Sequence, residues 1–319
     1  MTAPLLEIKG LKKHFPIGGR FNKKGAVKAV DGVDLAVYPG ETLSIVGESG
    51  CGKSTVGRLA LRLMDSTEGE ILFEGTNIAG YSQRQMKPIR KDMQCVFQDP
   101  YASLNPRMTV GKALAEPLIV QQKMGAAQAM KRAEELLEVV GLRASATALY
   151  PHEFSGGQRQ RIAIARAISL DPKLIVADEP VSALDVSIQA QIVNLLGDLQ
   201  QKTNVSYLFI SHNLSVVRHI SDRVAVMYLG RVVETGTKDQ LFNNPLHPYT
   251  QALLSSVPEP DVDGKRERIM LRGEVPNAAN PPSGCPFHPR CPHAVDRCRT
   301  ERPAFREVEP GHSASCHFI

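Results

Sequence analysis

Gly47-Glu48-Ser49-Gly50-Cys51-Gly52-Lys53-Ser54-Thr55 is the stretch on which the fold turns. It follows the β-branched, apolar run Glu41-Thr42-Leu43-Ser44-Ile45-Val46 and precedes Val56 to Leu63, which continues as a helix. Strand, glycine turn, helix is the setting of a phosphate-binding loop. Glycines at 47, 50 and 52 let successive amide N–H groups converge on an anion at a helix N-terminus. Lys53 then reaches the β- and γ-phosphates of a nucleotide, the Ser54 hydroxyl is placed to ligate Mg²⁺, and Thr55 stands beside it. A chance glycine turn would not carry Lys-Ser at this offset between strand and helix.

With 319 residues the chain is long enough for a large domain with an appendage, or for two domains. The net charge of +5 is modest and dispersed, so charge alone selects neither nucleic acid nor an acidic membrane surface. No run approaches the roughly 20 apolar residues of a membrane span, and Met1 to Gly10 carries no apolar core after a basic start. The expected location is therefore cytoplasmic. Cys51 and Cys95 lie in the body of the chain, whereas Cys285, Cys291, Cys298 and Cys316 crowd into its tail.

Residues 5–11 and 27–37 read as strands joined through a Gly/Lys-rich hairpin loop, Ile17 to Gly25, and Tyr38-Pro39-Gly40 turns into the strand before the phosphate loop. Phe15 is a candidate to stack on a nucleotide base, although an aromatic there also serves as core. Glu70 to Phe73 and Met93 to Phe97 are further strands, the latter delivering Gln98-Asp99-Pro100 into a loop. From Pro106 to Pro151 the pattern is helical, with Met130, Ala133, Leu137 and Val140 on one face and Gly141 as a stop. Phe154-Ser155-Gly156-Gly157-Gln158 opens a helix expected over Arg159 to Ser169, and its serine cap and glycines favour an anion there too.

Leu174 to Glu179 is a continuous apolar strand closing on two carboxylates, at the strand end where α/β sheets bind ligands. Asp178 is suited to hold Mg²⁺ and Glu179 to orient or deprotonate water. Ser182-Ala183-Leu184-Asp185 leads into a helix with Ile188, Ile192, Leu195 and Leu199 on one face, and the buried strand Tyr207 to Ser211 ends at His212, a candidate phosphate contact.

These segments, in this order, resemble the nucleotide-binding subunit of an ATP-binding cassette transporter over residues 5 to about 255. Gly47 to Ser54 matches the Walker A loop, Gln98 the Q-loop, Ser155 to Gln158 the signature motif, Leu174 to Glu179 Walker B, Ser182 to Asp185 the D-loop and His212 the switch histidine. Phe154 stands where the family carries leucine, and Asn213 replaces the aspartate common after the switch histidine, for which the sequence supplies no reason. The wording Phe97 to Pro106, Glu179 to Ser187 and Asn244 to Thr250 is similar to ATP-binding subunits of bacterial dipeptide and oligopeptide importers, particularly the second of the paired subunits. Nickel importers share much of it, so a nickel or glutathione importer is the alternative.

The resemblance implies an α/β P-loop NTPase fold: a cassette over 1–255 with a β subdomain, a RecA-like core and a helical subdomain near 100–170, followed by a Cys/Pro-rich extension over 256–319. It implies ATP and Mg²⁺, the latter held by Ser54, Gln98 and Asp178. It further implies two ATPase subunits closing head to tail. Glu48, Ser49, Gly50, Cys51, Lys53, Thr55, Gln98, Asp178, Glu179 and His212 would then serve the chain's own nucleotide, and Ser155 to Gln158 the partner's, with Asp185 near both. Glu179, His212 and Lys53 would be catalytic. Partners would be a related ATPase subunit, two membrane permeases and an external peptide-binding protein, with no nucleic acid, at the cytoplasmic face of the inner membrane. A soluble ATP-driven switch on ribosomes or DNA would carry tandem cassettes or long coiled coils, and a non-catalytic cassette would carry a damaged Walker B or switch residue; the sequence has none of these features.

The tail is poor in apolar residues and needs a staple. Disulfides are disfavoured in a cytoplasmic chain, which leaves metal. The spacing C-x₅-C-x₆-C-x₁₇-C lacks the C-x₂-C pairs usual at zinc. Four thiolates can ligate a [4Fe-4S] cluster, and the importer resemblance favours it, with zinc or unligated thiols as the alternatives. His288, His293, His312 and His317 are available for a mixed site, whereas Cys51 and Cys95 are placed wrongly for it.

Overall fold

The computed structural model describes residues 3–17, 25–99, 104–256, 269–271 and 273–319. Pro100 to Ser103 of the importer-like wording, and all of the Ile17 to Gly25 loop except its two ends, lie outside the described residues. Along the chain the strands are β1 (Leu6–Pro16), β2 (Ala26–Val37), β3 (Thr42–Val46), β4 (Glu68–Phe73), β5 (Thr76–Asn77) and β6 (Met93–Val96). They continue with β7 (Leu174–Asp178), β8 (Ser206–Ile210), β9 (Arg223–Tyr228), β10 (Arg231–Thr237), β11 (Arg306–Glu309) and β12 (His312–Ala314). The chain divides into two compact units, one of Met1–Val37, Thr42–Gly80 and Ser211–Ile319, the other of Tyr38–Glu41 and Tyr81–Ile210.

In the first unit β2, β1, β4 and β5 form an antiparallel sheet in that spatial order. β1 runs to Pro16, five residues beyond the expected end, because register shifts between Ile8 and Leu11 and between Lys13 and His14 let it bend and keep pairing with β2. The same unit sets β3 parallel to β9, with Ile45 opposite Ala225, and adds β10, β12 and β11 outward from β9 in antiparallel fashion. All five residues of β3 are buried, the polar Thr42 and Ser44 included, as in a parallel strand covered on both faces. Thr42 and Ser44 are satisfied internally: the Thr42 N–H donates to Asp222 Oδ2 at 2.8 Å, and the Ser44 and Ser221 hydroxyls pair.

The tail is woven into this unit. β12 pairs with β10, Glu234 opposite Ala314, and the fully buried Glu234 carboxylate meets His312 Nε2 at 2.8 Å. Phe287 packs edge-on against Tyr228, with ring centroids 5.3 Å apart, and against Tyr249 at 5.4 Å. The expected line at 255/256 therefore does not coincide with a boundary between the units, since buried rings and a paired strand cross it.

In the second unit β6, β7 and β8 are parallel neighbours, with Asp178 opposite Ile210. The helical segment forms two helices, Val110–Gln122 and Ala126–Val139, parted by Lys123 in the left-handed conformation at φ +59°. Their contact buries Ala115, Leu118 and Ala129, and Gly141, at φ +76°, ends the second helix as expected. The unit is wider than the expected 100–170 because β6 to β8 belong to it. The helix Val186–Thr203 buries Ile192, Val193, Leu196 and Leu199. Leu195, expected on that face, is half-buried, since the covered stripe drifts by one residue. Among the described residues no helix is long and apolar enough to cross a membrane.

Candidate functional site

The phosphate loop joins β3 to the helix Lys53–Ala60, whose N-cap is Gly52 at φ +107°. Gly47 has φ +148° and Gly50 φ +81°, conformations that L side chains rarely adopt. A Cβ on Gly47 would stand 2.3 Å from the Met227 carbonyl oxygen, and one on Gly52 would stand 2.1 Å from the Ala29 carbonyl oxygen. Both obstacles are backbone, so these two positions admit only glycine. The Gly230 N–H, at the β9–β10 turn, donates to the Cys51 carbonyl at 2.9 Å and seats the loop from below.

Lys53 is buried, and its Nζ donates to the Gly47 and Glu48 carbonyls at 2.8 and 3.0 Å. The loop is thereby curled around the ammonium, a cradle whose charge suits an anion. Burial pushes the Cys51 thiol up, so it packs there as a neutral group. Ser54 and Thr55 are half-buried in the first turn. Glu48, from which the sequence alone claims only a place in the loop, is held on three sides. Its N–H donates to Tyr249 Oη at 2.8 Å, its carbonyl accepts from Lys53, and its carboxylate takes two hydrogen bonds from Arg290 at 2.7 and 2.9 Å.

The first unit also carries Phe15 and His212. Phe15 is 39% exposed, with Lys13 Nζ 5.2 Å from its ring centroid. His212 is exposed beyond Ser211. Asn213 Oδ1 accepts from the Ser215 and Val216 N–H groups at 3.1 and 3.4 Å and caps the helix Leu214–Ile220, a role aspartate fills equally well, so the replacement keeps the cap. An Asn directly before an apolar helical run is the signal that could have revealed this. Tyr249 and Arg290 had no such signal, since their contacts are made across most of the chain.

The second unit carries the other candidates. Asp178 is buried at the end of β7, and Glu179 follows it at φ +50°, a strained position for a non-glycine residue. The Glu179 N–H donates to the Ile210 carbonyl at 2.9 Å, and its carbonyl accepts from Ser182 Oγ at 3.1 Å, so the turn is fixed from both ends. Asp185 is the N-cap residue of the helix Val186–Thr203 but makes no side-chain capping bond. Gln98 is exposed after β6.

The helix expected from Arg159 begins at Gly156 instead, because Ser155 caps it three residues earlier. Ser155 Oγ accepts from the Gln158 N–H and Gln158 Oε1 accepts from the Ser155 N–H. Ser155, Gly156 and Gln158 are exposed, Gly157 is half-buried, and Phe154 anchors the turn from below, 6% exposed. A free helix N-terminus on a polar surface is an anion site in waiting.

In the tail, Cys285, Cys291, Cys298 and Cys316 line one cavity of about 10 Å³ with His288 and His317. Burial pushes the Cys285 thiol up to about 11, the three neighbouring thiols adding to the shift, and Cys291 and Cys316 are raised by burial too. The backbone N–H groups of Phe287, His293 and Phe318 act in the other direction on the thiols two residues before them, without undoing the effect of burial. Four thiols around one cavity, whose charged forms repel, match the donor chemistry of a thiolate-held cationic group. Among the described residues, however, no three His, Cys, Asp or Glu side chains stand close enough to hold one metal ion.

The pattern of the ABC transporter family matches residues 30–182, and that of the oligopeptide/dipeptide transporter C-terminal region matches residues 233–298. The chain is 58% identical over 319 residues to the oligopeptide transport ATP-binding protein AppF of Bacillus subtilis, covering 98% of this chain and 97% of that one. Among solved structures, the dimeric cassette MJ0796 in its post-hydrolysis state with ADP and Pi superposes with a TM-score of 0.66 at 30% identity, over 73% of this chain and 98% of that one. CbiO1 of Clostridium perfringens, part of the transporter complex cbiONQ, gives 0.66 at 26% identity, over 76% and 91%. With the glycine cradle, the carboxylate pair and the capped glycine helix all in family order, the chain belongs to the ABC transporter family, as an ATPase subunit of the oligopeptide/dipeptide transporter branch.

Proposed function

We propose that this chain hydrolyses ATP to energise import of dipeptides and oligopeptides across the bacterial inner membrane. It does so at the cytoplasmic face, in a pair with a related ATPase subunit, two permeases and an external peptide-binding protein. The observation that carries the reading is the phosphate loop, whose Gly47 and Gly52 have no room for a Cβ and whose buried Lys53 awaits an anion. The B. subtilis relative's name supports the peptide cargo.

In this reading residues 1–255 are the cassette, with its helical part near 100–170, and 256–319 the extension. Lys53 and the loop amides of Gly47 to Thr55, except that of Glu48, which is bonded to Tyr249, hold the β- and γ-phosphates, and Phe15 stacks on the base. Ser54, Gln98 and Asp178 would hold Mg²⁺, which supplies charge neutralisation across the phosphates. Glu179, fixed in its turn, orients and deprotonates the attacking water, and His212 holds the γ-phosphate. Ser155 to Gln158 present their N–H groups to the partner's nucleotide, and Asp185 lies at that junction. Loss of the bridging phosphate releases the pair, and that release becomes motion in the permeases.

The test is a transporter reconstituted in liposomes with Glu179→Gln in this chain. Turnover and peptide uptake should fall at least about 100-fold while nucleotide binding persists; unchanged turnover would refute the assignment. Running nickel and glutathione uptake in parallel decides the cargo, and uptake of either in place of peptide would replace the peptide reading.

Cys285, Cys291, Cys298 and Cys316 are proposed to hold a [4Fe-4S] cluster. What supports this reading is that the four cysteines line one cavity and that their spacing lacks the C-x₂-C pairs usual at zinc. Anaerobic purification should give about four iron and four sulfide per chain, lost in Cys285→Ser. Stoichiometric zinc, or no metal, would overturn this part while leaving the ATPase reading intact.

A further inference from the structure

Glu48 is a chemical oddity within the phosphate loop. A carboxylate lies among amides that converge on a polyanion, and unpaired it would repel the ligand the loop is shaped to hold. The structure pairs it with Arg290, 242 residues away in sequence, through a two-pronged contact at 2.7 and 2.9 Å. Arg290 is 8% exposed and the Glu48 side chain 27%, so the pair is partly sheltered from solvent screening. On the other side of the same residue, the Glu48 N–H is taken by Tyr249 Oη, which turns that amide away from the anion nest and fixes the peptide plane.

We infer that Arg290 is a positioning residue for nucleotide binding: it neutralises and fixes the Glu48 carboxylate, so the cysteine-rich tail sets the affinity of the phosphate loop. The inference rests on the nucleotide-binding reading and is independent of what the four thiols hold. Tyr249 is the second arm of the device, its ring packed 4.8 Å from Tyr228 and 5.4 Å from Phe287.

Both arms lead into one turn of the tail. The Cys285 carbonyl accepts from the His288 N–H at 3.0 Å, the Phe287 carbonyl from the Arg290 N–H at 3.0 Å, and the His288 carbonyl from the Cys291 N–H at 3.4 Å. Two of the four thiols therefore bracket the turn that aims the guanidinium. Any change at those sulfurs that re-forms the turn moves Arg290 off Glu48, and by linkage nucleotide binding favours the turn in its paired form.

The experiment is calorimetric titration of MgADP into the purified full-length chain, comparing wild type, Arg290→Gln, Glu48→Gln/Arg290→Gln and Tyr249→Phe. Arg290→Gln should bind about tenfold more weakly, because the loop then carries an unpaired negative charge close to the bound phosphates. The double variant, which removes that charge, should recover to within about threefold of wild type. A role in folding alone predicts wild-type affinity in the folded fraction of Arg290→Gln, with only its urea stability lowered. Wild-type affinity in Arg290→Gln, or a double variant no tighter than the single, overturns the inference. Should Arg290→Gln fail to fold, Tyr249→Phe decides: about threefold weaker binding supports the device and unchanged binding overturns it. Failure of the wild type itself to bind MgADP would instead remove the nucleotide reading beneath it.

Discussion

Two glycine-bearing helix starts stand in this molecule, and they are built on opposite plans. The phosphate loop is enclosed: backbone carbonyls of Met227 and Ala29 press on Gly47 and Gly52, Lys53 is buried, and Glu48 is tied to distant parts of the chain. The start at Ser155 is open. It is fastened locally, by the capping box with Gln158 and by Phe154 beneath it; a Cβ on Gly156 would meet Leu184 Cδ2 at an ordinary 3.5 Å, and one on Gly157 would stand 2.5 Å from Ile188 Cγ2, a side chain and not backbone. A cradle that must hold its own ligand is preorganised by tertiary structure, whereas a surface offered to another subunit needs only local chemistry and a clear approach.

The largest break in that contrast would come from matched glycine substitutions. Gly47→Ala places a methyl 2.3 Å from the Met227 carbonyl oxygen at φ +148°, and should cost about 4 kcal/mol or more and abolish nucleotide binding. Gly156→Ala should leave both stability and binding by the isolated chain near wild type. Urea unfolding with nucleotide titration checks the pair, and equal effects at the two positions would dissolve the distinction.

Acid sharpens it next. Burial holds His247 down at about 4, and the neutral ring accepts from the Tyr249 N–H at 3.0 Å, capping the helix Pro248–Ser255 that carries the Glu48 tether. The unfolded chain binds a proton there near pH 6.5 and the folded one does not. This stabilisation is therefore full above about pH 6.5 and is lost as the pH falls toward 4, by about 3 kcal/mol. Hydrogen exchange at falling pH should show the Glu48 and Tyr249 amides opening before those of the helix Gly156–Ile168. A His247→Gln variant should flatten the pH dependence, and an unflattened profile would remove His247 from the account.

The smallest effect is at the open start. Ser155→Ala removes one arm of the capping box and should cost about 1 kcal/mol of stability. Nucleotide affinity of the isolated chain should not move, while turnover of the assembled transporter falls about tenfold or more. Measured together, a drop in the isolated chain's affinity would show that Ser155 does not serve a partner.

The two glycine starts and the carboxylate pair were legible in the sequence because each is defined by residues within a few positions of one another, and His212 was placed by the end of its buried strand. Helix and strand placement followed for the same reason, down to Gly141 as a stop. The strand β1 outran its expected end because its bulges leave no mark in an alternation pattern. Leu195 was misplaced by one step because a long helix drifts against its neighbours. The fastening of Glu48 was illegible for a deeper reason. Nothing local distinguishes Arg290 from the other arginines of the tail, and only closure of the whole chain brings it to the loop.

That closure has a temporal side. Glu48 and Arg290 are separated by 242 positions, and β12, which secures the strand beside β9, ends at Ala314. At about 5–20 residues per second of synthesis, the phosphate loop spends roughly 12–50 s on the ribosome before its guanidinium is made. Throughout that interval the nascent chain holds an ATP loop without its clamp. A chain cut before Arg290 would therefore carry the phosphate-loop motif in full and lack the residue inferred to tighten it. Of the contacts that fasten the loop, the guanidinium is the last to be synthesised.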